Sequence, residues 1–151
     1  VAIPATYDYV INIGAVQGGV SGQESPGFDP LDPMTAYLYT EFHNGTLDGY
    51  DYTVGEGSTR AASAAALQNA IWYIEGEVTA LNSIQAEAFY NEAFVANWDD
   101  IGNVRVLNLY STGGATVKQD QLIMIPTPAA LFMGLPLLGL LGAFRFVRRE
   151  A

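Results

Sequence analysis

The side chains that could do acid–base, nucleophilic or metal chemistry are few in kind: one histidine, sixteen acids and no cysteine. Because His43 stands alone, a multi-histidine metal site is excluded, and no Gly-x-Ser-x-Gly motif supplies a nucleophile for it. Its position before Asn44-Gly45 is typical of a surface loop. The lack of cysteine also excludes disulfides, thiolate metal sites and cysteine nucleophiles. The sequence therefore predicts no catalytic residue and a protein that is not an enzyme.

Acidic residues recur in close pairs, which acid–base catalysis or cation binding would need. The pairs are Asp29 and Asp32, Asp48 and Asp51, Glu75 and Glu77, and Asp99 and Asp100. Carboxylates and loop carbonyls are ligands of calcium, which is available outside the cell. No EF-hand spacing is present, so solvated loop acids are the simpler interpretation. We predict no metal ligands and no cofactor, with calcium as the one alternative.

Two further residue classes have both a chemical and a structural interpretation. Lys118, the only lysine, could form an intramolecular isopeptide bond with an asparagine beside an acid. Clustered tyrosines could stack on sugars, although such aromatic residues more often belong to the core. They are Tyr37, Tyr39, Tyr50 and Tyr52.

Charge is distributed unevenly along the chain. Residues 1–127 hold three basic and fifteen acidic side chains, a net charge of −12. Such a domain repels nucleic acid and anionic headgroups, and it attracts divalent cations or a basic protein surface. We therefore predict no nucleic-acid partner.

The C-terminal segment contrasts with this acidic domain. Residues 128–147 are twenty residues with one charge, Arg145, and as a helix they would span about 30 Å, the thickness of a bilayer's hydrocarbon core. Arg145, Arg148 and Arg149 at the far end predict a cytoplasmic C-terminus. The expected organisation is an extracytoplasmic globular domain, 1–127, and a C-terminal transmembrane anchor, 128–151. The expected location is the inner membrane, crossed once, with membrane lipid as one partner.

Small residues in this anchor predict helix packing. Gly134, Gly139 and Gly142 would let another helix approach closely in lipid. A protein partner in the membrane or cell envelope is therefore expected.

Three helices are predicted within residues 1–127. The first begins at Asp32-Pro33 and ends at Asn44-Gly45, with a β-hairpin as the alternative. The second runs from Ser58 or Thr59 to Glu75 and stops at Gly76, with Ala64, Leu67, Ile71 and Ile74 facing the core. The third begins at 82–83, where Asn82 and Gln85 have capping-box spacing, and stops near Asn97.

Strands are expected at both ends of the domain. Residues 6–13 alternate, so that Tyr7, Tyr9, Ile11 and Ile13 share a face, and a glycine- and proline-rich loop follows over 17–32. Residues 103–110 and 121–125 have strand propensity and are expected to pair. The predicted fold is α+β: a β-sandwich- or barrel-like domain with two or three helices, plus one C-terminal transmembrane helix.

The tail resembles the PEP-CTERM sorting signal, in which Pro-Glu-Pro precedes a Leu/Gly-rich helix and an arginine cluster. Pro126 and Pro128, residues 137–142 and Arg148-Arg149 carry this resemblance, and Thr127 replaces the family's glutamate. The resemblance implies an exported Gram-negative protein linked to the cell surface or exopolysaccharide. The start at Val1, without a leader, fits a chain whose secretory signal has been removed.

A second segment is similar to thioester adhesin domains. Gln68, Ala70, Ile71 and Trp72 match their Gln-x-Ala-Ile-Trp helix, but the thioester needs a cysteine that this chain lacks. The resemblance implies only a packing role for Trp72.

These observations give two hypotheses on function. The first is a non-enzymatic, membrane-anchored structural or interaction protein of the PEP-CTERM type, associated with the cell surface or an exopolysaccharide matrix. The second is an accessory subunit of a larger membrane complex, packed through its single transmembrane helix.

Overall fold

The computed structural model describes residues 6–16, 27–114, 116 and 118–126 of the chain. In chain order the elements are β1 (Tyr7–Asn12), β2 (Gly14–Ala15), β3 (Asp29–Pro30), α1 (Pro33–Asn44), α2 (Arg60–Ile74), α3 (Ile84–Ala96), β4 (Val104–Ser111) and β5 (Gln121–Met124). The predicted α+β class with three helices is confirmed.

Helix α1 has clear start and stop signals in its sequence. The Met34 backbone N–H donates to Asp32 Oδ1 at 2.7 Å, and proline occupies the first turn, where its missing N–H costs nothing. The helix ends at Gly45, which adopts the left-handed conformation (φ 77°) that a side chain would disfavour. The helix prediction is confirmed and the hairpin alternative is wrong.

Helices α2 and α3 begin and end close to their predicted positions. Ser83 caps α3 by accepting from the Ala86 N–H at 3.1 Å, and Asn97 ends it in the left-handed region. The predicted capping box of Asn82 and Gln85 is wrong, because Ser83 is the N-cap, and Gln85 Nε2 instead donates to Gly49 O at 2.7 Å. The predicted core face of α2 is partly wrong: Leu67 is buried, but Ala64 is exposed.

The helices enclose the larger of two apolar cores. Leu38 of α1, Leu67 of α2 and Phe89 of α3 meet there. Burying aliphatic and aromatic side chains of this kind contributes on the order of 2 kcal/mol each. This core fixes the three helices relative to one another.

The second core lies between α1 and a three-stranded antiparallel sheet of order β1-β4-β5. Residues directly opposite in an antiparallel pair point to the same side, so the register assigns the faces. Val104 and Val106 face inward and contact Leu31 and Ala36. Helix α1 therefore covers the inner face of the sheet at β4 and β5, while Val10 on the same side of β1 stays exposed.

A small second sheet pairs β2, just before the predicted loop 17–32, with β3, which lies inside that loop. It requires glycine at position 14, because a Cβ there would lie 2.8 Å from Pro30 Cα and closer still to the Asp29 carbonyl. Real side chains do not tolerate such distances. Residues 17–26 of that loop lie outside the described residues.

Two parts of the predicted fold are corrected. The sandwich or barrel is wrong, because β2 and β3 have two residues each and the layer packed on the main sheet is helical. The predicted C-terminal transmembrane helix is not supported: among the described residues, no helix has the length and apolarity needed to cross a membrane. Residues 127–151, on which that prediction falls, lie outside the described part of the chain.

Candidate functional site

The outer face of the main sheet is largely apolar, and it is most exposed along β1. It consists of Tyr7, Tyr9 and Ile11 on β1, Arg105, Leu107, Leu109 and Ser111 on β4, and Gln121 and Ile123 on β5. We call this set the open face. None of its side chains belongs to either described core, and Tyr9 is 62% exposed. An exposed apolar area on a sheet is typical of an interaction surface.

The charge of the open face differs from that of the rest of the domain. It contains no acid, although residues 1–127 hold fifteen. Its one cation, Arg105, donates to the carbonyl oxygens of Gly102 and Val104 at 2.7 and 2.6 Å. The face can therefore meet an apolar surface without desolvating a carboxylate, which would be costly.

Strand β1 also offers a free edge. It lies at the end of the β1-β4-β5 order, and no described strand pairs with its other side. Edge strands are usually protected by lysine, proline or a bulge. The six residues of β1 contain none of these, and their one acid, Asp8, accepts from the Gly113 N–H at 2.7 Å.

The candidate acids do not assemble into a cation site. Among the described residues, no group of three His, Asp or Glu side chains could hold a metal. Asp48 and Asp99 are exposed, and Asp100 accepts from the Gly102 N–H at 2.6 Å. His43 is exposed as predicted, but it lies in the last turn of α1 and not in a loop.

Asp51 has a structural role in its loop. Its carboxylate accepts hydrogen bonds from the backbone N–H and the hydroxyl of both Thr53 and Thr59. These bonds, led by the Thr53 hydroxyl, hold its pKa well below the ordinary value. Since Thr59 precedes α2, Asp51 fixes the start of that helix.

Glu75 is the most unusual acid in the described structure. Burial, and to a smaller extent the charges of Asp32 and Asp29, raises its pKa to about 7. Its Oε1 accepts from the Asp32 N–H at 3.2 Å, which joins the end of α2 to the start of α1. The Thr35 hydroxyl lies beside Glu75 and lowers its pKa. The contact between these two side chains does not have full hydrogen-bond geometry, and Thr35 Oγ1 has no hydrogen-bond partner among the described residues.

The four clustered tyrosines do not form an open sugar platform. Tyr50 is buried, and its ring lies 4.6 Å from the ring of Tyr52 and 5.0 Å from that of Phe42. Tyr39 donates to the Leu122 carbonyl at 2.9 Å. Tyr37 donates to Glu92 at 3.0 Å, and burial followed by this bond raises its pKa to about 12. The core interpretation is the correct one.

No protein-family model, curated protein or solved structure matches this chain.

Several predicted residues remain without a structural test. Pro126 is exposed near the end of the described chain. The other sorting and packing residues lie outside the described part: Pro128, Gly134, Gly139, Gly142, Arg145, Arg148 and Arg149. The resemblance to the PEP-CTERM signal stays a prediction. In the segment similar to thioester adhesins, Trp72 lies at the surface rather than in a core.

One polar site was not predicted. Asn108 occupies an inward position of β4, in phase with Val104 and Val106, where an apolar residue is the rule. It binds Asn12 and Asp120 at 2.8 Å each. The sequence signal for this site was the polar side chain of Asn108 at a position where the alternation of β4 predicts an apolar one.

Proposed function

We propose that this chain is a non-enzymatic structural protein, exported and associated with the cell surface or an exopolysaccharide matrix, and that it assembles with further copies of itself. The single observation that carries this proposal is the open face together with the free edge of β1. The resemblance of the tail to PEP-CTERM signals supports the exported location.

A second copy suits this surface better than a basic partner does. A basic protein would be attracted to the fifteen acids, and the open face has none. Two copies of β1 can pair antiparallel about a two-fold axis, which satisfies both free edges at once. The two open faces then adjoin in one apolar surface, which the same surface of a second such pair can cover face to face while the acids stay outside.

The oligomeric state of the full chain tests this proposal. Sedimentation at increasing concentration should show a species of twice the 16.2 kDa chain mass. Ile11→Lys places a positive charge on the open face and at the edge of the sheet, where lysine opposes strand pairing. The substitution should weaken association roughly tenfold or more.

Val54→Lys is the matched control, because Val54 is 85% exposed and lies outside every described strand. It should leave association unchanged. A monomer at all concentrations, or equal effects of the two variants, would overturn self-assembly. A monomer that binds purified matrix polysaccharide through Tyr9 would identify a glycan as the occupant instead.

A further inference from the structure

Three aromatic side chains form a row on the surface of α2 and α3. Tyr73 comes from the end of α2, and Tyr90 and Phe94 come from α3. The rings of Tyr73 and Tyr90 are 5.3 Å apart in an edge-to-face arrangement. The rings of Tyr90 and Phe94 are 6.3 Å apart, and their planes differ by only 20°. We call these three residues the aromatic row. None of them lies on a strand, so the row is separate from the open face.

The aromatic row lies outside both described cores. Tyr73 and Tyr90 are half-buried, and Phe94 is 63% exposed. An aromatic ring that stays mostly in water gains little from folding, because the hydrophobic effect depends on the area that is buried. Aromatic side chains are enriched among the residues that dominate binding surfaces. The row is therefore a candidate interaction surface.

The segment that carries the row is acidic and contains no basic side chain. Residues 61–104 include most of α2 and all of α3, and they hold six acids but no lysine or arginine. The acids are Glu75, Glu77, Glu87, Glu92, Asp99 and Asp100. Glu87 is exposed and lies three residues before Tyr90 and seven before Phe94, so it shares their stripe of α3. A carboxylate thus borders the aromatic row.

An aromatic face beside a carboxylate suits the side chain of arginine. The planar guanidinium stacks on an aromatic ring and pairs with a carboxylate at the same time, whereas the ammonium of lysine is a compact and strongly hydrated charge. The nearly parallel planes of Tyr90 and Phe94 suit a planar group. The charge of the segment attracts a basic partner and repels a second copy of the same acidic surface.

We propose that the aromatic row and Glu87 bind an arginine-rich segment of another protein. Guanidinium groups stack on Phe94 and Tyr90 and pair with Glu87. The surrounding acids attract the segment, and the rings select arginine over lysine. Since this surface is separate from the open face, one copy can bind the basic segment and another copy at the same time.

Binding of basic peptides to the full chain tests this proposal. The probes are fluorescently labelled oligoarginine and an oligolysine of the same length and charge, and anisotropy measures their affinity at an ionic strength of about 0.15 M. Oligoarginine should bind roughly two- to fivefold more tightly, the size of one exposed cation–π contact. General attraction to the acids would not make this distinction.

Phe94→Leu separates the aromatic face from its apolar character. Leucine keeps an apolar side chain that suits a helix but has no ring, so the preference for oligoarginine should disappear. Phe94→Tyr keeps the ring and should keep the preference. Both variants should fold like the unaltered chain because position 94 is exposed. Val95→Leu is the matched control, since Val95 is 81% exposed on the same helix but outside the row, and it should bind both peptides normally.

Glu87→Gln tests the carboxylate beside the rings. Loss of this charge should weaken oligoarginine binding about twofold or more, as expected for an exposed ion pair. Glu56→Gln removes the same charge at an exposed loop position and should have a smaller effect.

Several results would overturn the proposal. Equal affinity for the two peptides, or equal effects of Glu87→Gln and Glu56→Gln, would indicate general attraction to the acids. A preference for oligoarginine that persists in Phe94→Leu would place the arginine elsewhere. Tighter binding of an amine-bearing polysaccharide than of oligoarginine would identify a glycan as the occupant instead.

Discussion

Glu75 is held between two helices in a place where its charge is disfavoured. Its carboxyl joins α2 to α1 through the Asp32 N–H, and burial raises its pKa from the ordinary 4.5 to about 7. A raised pKa means that the folded state binds the proton more tightly than the unfolded state does. The stability from this proton is fully present below about pH 4.5 and is lost as the pH rises through 7.

Glu75→Gln should therefore stabilise the protein in a pH-dependent way. Glutamine imitates the protonated carboxyl and keeps an oxygen for the Asp32 N–H. We expect no large difference from the unaltered chain at pH 5 and a gain of roughly 1 to 3 kcal/mol at pH 8, since 2.5 pKa units correspond to about 3 kcal/mol. Urea denaturation at both pH values measures this.

Glu56→Gln provides the control for this prediction, because Glu56 is exposed in a loop. Its effect on the free energy of unfolding should be small at both pH values. If Glu75→Gln raises the free energy of unfolding equally at pH 5 and pH 8, burial does not control the protonation of Glu75.

Single residues also show where sequence reasoning stopped. The surface position of His43 and the core packing of Tyr50 followed from residue type and neighbours alone. The meeting of Glu75 with Asp32 did not, because it joins residues 43 positions apart. Asp120 and Asn108 are closer in sequence, but the pairing of β4 with β5 brings them together.

At the scale of elements, the small sheet β2–β3 depends on one glycine. Gly14→Ala would press a methyl group into the backbone of β3, so we expect a loss of roughly 1 to 3 kcal/mol in the free energy of unfolding. Thermal melts and urea denaturation measure this loss.

Gly45→Ala is the control for this prediction. It introduces a side chain at a left-handed position, at a cost of about 1 kcal/mol, but a Cβ there has open space and lies in no strand. Gly14→Ala should therefore destabilise the protein more than Gly45→Ala does. An equal or smaller loss for Gly14→Ala would show that the close approach of β3 does not require glycine.

Helices were easier to predict than sheet partners for a physical reason. Asp32-Pro33 and Asn44-Gly45 specify both ends of α1 through contacts a few residues apart. The β4–β5 pair was predicted because the two strands are neighbours in sequence. The β1–β4 pair was not predicted, because these strands are far apart in sequence. Alternation identifies a strand but does not show whether a helix or another sheet covers it, so the alternating strands suggested a sandwich.

At the scale of the whole molecule, charge should control self-assembly. Each copy repels another through its acids, whereas the open face is nearly neutral. Salt screens repulsion and leaves apolar contact in place, so raising salt from about 0.05 to 0.5 M should strengthen association several-fold. Sedimentation across this range measures the effect, and weaker association at high salt would indicate pairing of opposite charges instead.

The position of β1 in the sheet also sets the order of folding. Its neighbour β4 comes late in the chain: Asn12 and Asn108, which bond across this pair, are 96 positions apart. Helices α1 to α3 lie between them and form through shorter-range contacts, so they can fold first. At a synthesis rate of about 5 to 20 residues per second, β1 emerges about 5 to 20 seconds before β4 exists. During that interval Tyr9 and Ile11 lie on an unpaired apolar strand, which is the period when a chaperone would protect the nascent chain most.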